Sequence, residues 1–264
     1  MKNTWAVAKR EIFSFFVSPV AYFVIAGYVL LAGYFFFNLL AYFNMMVQRY
    51  TAMMNMRGGG MDEMAGINLN QAVVEPFFGT LLIILVFLIP LLTMRTLAEE
   101  KRRGTFELLI TSPLSVASIV AGKFIGVAFI LIVMNLFAFA FPGMLIFFGE
   151  PTPEVAVIFS GLLAVILCSL SFAAIAMAVS AFTENQIVAG VSGIVVLLLF
   201  YVIHAPSESI GGVWSKVLQY VSPVLQARDM IQGVISTQSL VYFASVIVFG
   251  IFLSQRALDA QRWR

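Results

Sequence analysis

Arg95-Thr-Leu-Ala-Glu-Glu-Lys-Arg-Arg-Gly-Thr-Phe-Glu-Leu-Leu-Ile-Thr-Ser-Pro113 is the densest run of charge in the chain, and it lies between two long apolar stretches. Glu99, Glu100, Lys101, Arg102 and Arg103 stand in a row, and Gly104 breaks them off. Thr105 is placed to cap a short helix, with Glu107 in its first turn, where the helix dipole favours a carboxylate. Phe106, Leu108, Leu109 and Ile110 give that helix an apolar side. Ser112-Pro113 stops it, because the residue before a proline is driven out of the helical region. The stretch predicts a short amphipathic helix, 99–111, hung between two membrane spans on their basic side. A plainer reading stands beside it: charge after an apolar span anchors topology and solvates a helix end.

Of the 264 residues, 61% are hydrophobic and 11% charged, whereas a soluble domain carries about 25% charged residues. So little charge does not cover a water-facing surface of this size, and the bilayer is the solvent. A net charge of +2 gives no argument for nucleic acid. The single cysteine, Cys168, lies in an apolar run, which excludes a disulfide framework within the chain and points to packing. The first apolar run is too long for a cleavable signal and has no small-residue cleavage site, so the first span is expected to direct insertion.

Residues 2–17 read as an amphipathic helix in the membrane interface, with Trp5, Ala8, Ile12, Phe13 and Phe16 as its lipid face. Ser18-Pro19 turns the chain into the bilayer. A span takes about 20 apolar residues, and six stretches qualify: 20–43, 76–94, 124–148, 155–182, 187–203 and about 239–253. Pro90 and Pro142 are expected to kink two of them. With both termini inside, the inner segments hold eleven Lys and Arg residues (2, 9, 10, 95, 101, 102, 103, 123, 256, 262 and 264). The outer segments hold four: Arg49, Arg57, Lys216 and Arg228. The positive-inside rule then places both ends in the cytoplasm.

Two outer segments are more than turns. Residues 44–74 carry Met45, Met46, Met53, Met54, Met56, Met61 and Met64 around Gly58-Gly-Gly60. Methionine suits adaptable apolar contact with a substrate or partner, and its thioether also suits Cu(I); both readings stay open. Residues 206–235 place Trp214, Val217, Leu218 and Val221 on one helical face before Ser222-Pro223, which predicts one or two short helices at the outer leaflet.

Catalytic machinery is not legible in the sequence. Gly122-Lys123 lacks the other elements of a phosphate-binding loop, and the one histidine, His204, falls at the outer end of a span, where it reads as a polar cap. The ionisable residues Glu75, Arg95, Lys123, Glu154 and Glu184 fall at span ends, whereas ion-coupled transporters place such groups at mid-depth. The driving energy is therefore expected from another polypeptide.

The stretch from Met94 to Ser115 resembles the cytoplasmic loop of ABC-2 type transporter permeases, and is most similar to their gliding-motility-associated branch. The likeness continues through Gly122-Lys-Phe-Ile-Gly126, Thr183-Glu-Asn-Gln-Ile-Val188, Gly233-Val-Ile-Ser-Thr-Gln-Ser-Leu-Val-Tyr-Phe243 and Leu258-Asp-Ala-Gln-Arg-Trp-Arg264. It leaves out only 45–70. The resemblance implies an all-α polytopic fold, with 1–264 forming one transmembrane domain of six spans, an interfacial helix at 2–17 and a coupling helix at 99–111. It implies paired permease subunits, identical or related, in a bacterial inner membrane above a cytosolic ATPase dimer. Glu99, Glu100, Gly104, Thr105, Phe106, Glu107, Leu108 and Leu109 would then meet the ATPase. The pathway would lie between subunits along the first, second and fifth spans. ATP and Mg would be bound by the partner, with no cofactor, metal or enzymatic activity in this chain. Met53, Met54, Met56, Met61, Met64 and Trp214 remain as candidate outer contacts with a substrate or partner. Some permeases of the superfamily serve copper-enzyme assembly, so the rival reading is a non-transporting scaffold that passes ATPase motion to outer partners. A self-standing channel or secondary transporter is disfavoured.

Overall fold

The computed structural model describes residues 2–57, 68–98, 115–149, 152–207 and 211–262, and every regular element among them is helical. Helix α1 spans Lys2–Val17. After Ser18, α2 (Pro19–Arg57) starts on a proline, a residue suited to the first helical position because its missing N–H has no partner to lose there.

Helix α2 has 39 residues, about 58 Å at 1.5 Å per residue, against a hydrocarbon core of about 30 Å. The expected boundary at residue 43 is therefore corrected: there is no turn at 44. Hydropathy falls there, but Met, Gln, Ala and Arg are good helix formers, and neither Gly nor Pro occurs between 44 and 57. A turn of π-helix (Asn70–Val74) then leads into α3 (Glu75–Thr93). Pro90 lies inside α3, and the Thr93 hydroxyl donates to the Ile89 carbonyl at 3.0 Å nearby.

Helix α4 (Val116–Phe148) is continuous through Pro142 and starts at Ser115, whose hydroxyl accepts from the Ser118 N–H at 3.2 Å. It begins eight residues before the expected span, because those residues are helical beyond the purely apolar run. Helices α5 (Val155–Ala181) and α6 (Gln186–Val202) follow the sequence reading within one residue at every end. The segment 206–235 contains two short helices, α7 (Gly212–Val221) and α8 (Pro223–Ile231), divided by Ser222 as expected. Helix α9 (Thr237–Arg262) closes the described chain. Among the described residues, five helices are long and apolar enough to cross a membrane: α2, α3 with its π turn, α4, α5 and α9. The remaining expected span is the shorter, 17-residue α6.

Helix α5 is the hub, packed against α3, α4, α6, α8 and α9. Its small residues allow this, since close backbone approach replaces the hydrophobic effect as the packing force between spans. A Cβ at Gly161 would run into the Phe78 ring of α3, and one at Gly250 of α9 would lie 2.7 Å from the Ala174 backbone. Cys168 is buried here, in its expected packing role.

Candidate coupling face

Ionisable groups gather near the two ends of the bundle among the described residues. The interior is joined instead by a neutral network. The buried Tyr28 hydroxyl donates to Asn135 Oδ1 at 2.8 Å. Asn135 Nδ2 in turn donates to the Leu131 carbonyl at 2.9 Å and to Ser169 Oγ at 3.3 Å. This ties α2, α4 and α5 together with paired polar groups, which apolar surroundings require.

At the end that carries α1, the chain leaves α3 and returns to α4. After α3, Leu97 and Ala98 are buried, and the Ala98 N–H donates to Ser180 Oγ at 3.3 Å on the last turn of α5. Thr96 Oγ1 donates to the Thr93 carbonyl at 2.7 Å, closing the turn that precedes it. The chain returns at Ser115, the cap of α4. Beside them, Asn185 Oδ1 caps α6 by accepting from Ile187 N–H at 2.9 Å and from Val188 N–H at 3.4 Å. The expected coupling residues Glu99, Glu100, Gly104, Thr105, Phe106, Glu107, Leu108 and Leu109 lie outside the described residues, as do Lys101, Arg102 and Arg103. What is described is the pair of posts from which that segment hangs.

Helix α1 is packed down onto α4. A Cβ at Gly122 would meet Val7 Cβ at 2.7 Å and the Thr4 carbonyl oxygen at 2.9 Å; one at Gly126 would meet Glu11 Cβ at 2.7 Å. Glycines four apart make one flat strip on α4, and Val7 and Glu11, also four apart, lie along it. Lys123 stands between the glycines, 1% exposed, with its Nζ 3.3 Å from Glu11 Oε2. It was expected near a span end, and the structure shows it there buried beneath α1 and ion-paired.

The expected apolar face of α1 is divided in the structure. Ala8 is buried and Ile12 and Phe16 are half-buried, whereas Trp5 and Phe13 remain exposed. The glycine strip draws α1 towards α4 and turns that half of its apolar surface inward. Lys9 places its ammonium 5.9 Å from the Phe13 ring centre, a cation–π contact at this edge. The motif Gly122-x-x-x-Gly126 was the available signal for this packing, and reading it for phosphate chemistry missed it.

At the opposite end, Met45, Met53 and Trp214 are exposed. Met54 and Met56 belong to α2, and Met61 and Met64 lie outside the described residues. The structure thus puts part of the methionine cluster on a helix extension rather than in a loop. Helix α7 has no buried residue, and Trp214 is 71% exposed. His204 Nδ1 lies 3.3 Å from Ser222 Oγ, so the histidine braces the elbow between α7 and α8, close to its expected capping role.

A multi-pass helical membrane protein is the class that this fold and face define. A family model described as ABC-2 family transporter protein matches residues 12–255, and the chain belongs to that family. It is therefore an ABC transporter permease, a membrane component that is not itself catalytic. No curated protein matches the chain.

Proposed function

We propose that the chain is the permease subunit of a complex in which a separate cytosolic ATPase dimer hydrolyses ATP with Mg, and that segment 99–111 passes the ATPase motion to the spans. The observation that carries this reading is the family match together with the posts of that segment: Ala98 is tied to the end of α5, and Ser115 caps α4. Force applied between them reaches the hub helix and its neighbour directly. Phe106, Leu108 and Leu109 are the apolar contact with the ATPase, and Glu99, Glu100, Gly104, Thr105 and Glu107 shape and orient it. The inward basic bias places both termini in the cytoplasm of a bacterium, with α6 as the sixth crossing. A second permease subunit covers the exposed stripe Ile187, Val191, Val195 and Leu199 of α6. The loop residues favour the gliding-motility-associated branch. Copurification of an ATPase with the native protein, and substrate movement in liposomes that requires ATP, test the reading. Hydrolysis retained by this chain after every other protein is removed overturns it.

One observation favours the scaffold reading. Helix α2 is about 58 Å long, so it passes well beyond a bilayer core of about 30 Å. It carries Met45, Met53, Met54 and Met56 outward as a rod able to transmit motion to an external partner. ATP hydrolysis without substrate movement in liposomes, together with a retained outer partner, separates this reading from transport.

A further inference from the structure

An apolar cavity of about 500 Å³ lies between the middle of α2 and the C-terminal end of α4, closed on one side by Leu69 ahead of the π turn. Its wall on α2 runs from Phe36 to Asn44 and its wall on α4 from Phe141 to Gly149. Each wall covers eight residue steps, about 12 Å of helix, most of one leaflet of a core about 30 Å thick. Along α4, Gly126 marks the edge where α1 packs. Phe141 is 15 residues further on, about 22 Å, and Phe148 about 33 Å. The cavity therefore lies in the leaflet opposite α1.

The floor is aromatic. The rings of Phe36 and Phe141 are 5.7 Å apart, and Phe77 approaches Phe36 at 5.4 Å. Gly33 makes this possible: a Cβ there would lie 2.9 Å from Phe141 Cζ, so only a glycine lets that ring lie across α2. The mouth opens outward, since Phe37, Met144 and Phe148 are exposed. Among the described residues of the lining, Asn44 is the one polar side chain and none is charged; Asn44 stands at the outer end.

We propose that this cavity is a binding site for a single phospholipid acyl chain, inserted from the leaflet opposite α1. Apolar cavities stay dry and take up apolar guests, and about 500 Å³ falls within the usual range of ligand pockets, ~300–1,000 Å³. The mouth of a membrane protein's cavity at this depth is bathed in acyl chains. Asn44 sits where the chain's ester would emerge, and its amide can donate to the ester carbonyl. The chain held in this recess exchanges more slowly than annular lipid.

The test uses the full chain in nanodiscs of phosphatidylethanolamine and phosphatidylglycerol, with a trace of phosphatidylethanolamine carrying a diazirine at the methyl end of one chain. After irradiation, peptide mapping should find label in 36–44 and 141–149 at least five-fold above that around the exposed Leu30 and Phe137 of the same helices. Leu40→Trp and Met144→Trp, which fill the space, should each lower the cavity label at least five-fold and leave the Leu30 label unchanged. Uniform label along the exposed faces overturns the proposal, as does an unlabelled cavity, which would mean that another part of this chain or a second copy fills it. The unmodified protein alone decides between these outcomes, whatever the fate of the tryptophan variants.

Discussion

Replacing Gly122 and Gly126 by alanine, singly and together, probes how α1 is held. The new Cβ atoms would fall 2.7 Å from Val7 Cβ and from Glu11 Cβ, where carbon atoms prefer about 3.5–4.0 Å. Neither neighbour can swing aside, because a Cβ is fixed to its backbone. The only relief is to lift α1 by about 1 Å, judged from that preferred separation. The lift loosens Val7 and Ala8 and stretches the 3.3 Å contact of Lys123 with Glu11 past ion-pair range. Overpacking of this kind costs about 1–3 kcal/mol, and each kcal/mol is worth roughly 2–4 °C in a domain of this size. Each single variant should thus lower the unfolding temperature by about 4–8 °C for a mid-range cost near 2 kcal/mol. Both substitutions push α1 in the same direction, so one lift relieves both. The double variant should cost little more than either single one, a strong departure from additivity. The assay is heating in detergent with a thiol-reactive dye, since the one cysteine, Cys168, is buried in the hub and reports its opening. Full additivity, or no loss in either single variant, refutes the packing argument.

The interior network predicts a second asymmetry. Tyr28→Phe strands Asn135 Oδ1 and should destabilise by about 1–2 kcal/mol, while Asn135→Leu added to it should recover part of the loss; a double-mutant cycle in the same thermal assay checks the coupling. Orientation is tested by single cysteines at Ser14 and Met53 after Cys168 is replaced: an impermeant thiol reagent applied to intact cells should label position 53 and not position 14, and the reverse pattern overturns the topology. Changing Met53, Met54, Met56, Met61 and Met64 to leucine keeps the apolar bulk, so function should survive if the segment works by contact; function falling together with bound copper would instead favour Cu(I) binding.

The sequence made the long helices legible because hydropathy and helix caps act locally. Ser115 and Asn185 are caps in the structure, and Ser222-Pro223 divides α7 from α8. The continuation of α2 past residue 43 was not legible from hydropathy, since good helix formers without Gly or Pro carry a helix on where the apolar run ends. Burial of Lys123 was hidden for a different reason. Its neighbours in sequence say that it begins a span, but its surroundings are set by α1, over a hundred residues away in the chain. The Tyr28–Asn135–Ser169 network is likewise non-local, three polar residues scattered over three apolar runs. The aromatic cavity depends on Gly33 facing Phe141, a pairing that no period in the sequence announces.

The central claim is that segment 99–111 engages a separate ATPase through an apolar anchor, and three variants of the complex test it together. Phe106→Ala removes the largest apolar residue of that segment, Glu107→Lys reverses the charge in its first turn, and Arg103→Gln removes one member of the basic cluster. A buried aromatic anchor costs about 2 kcal/mol or more when truncated, which is about 30-fold in affinity. The measurement is ATPase copurification and membrane-stimulated ATP hydrolysis at matched expression. Phe106→Ala and Glu107→Lys should lose the ATPase or uncouple its hydrolysis, while Arg103→Gln behaves as the unmodified protein. Phe106→Ala matching the unmodified protein while Arg103→Gln loses the ATPase would contradict the account and make the charge run the docking surface.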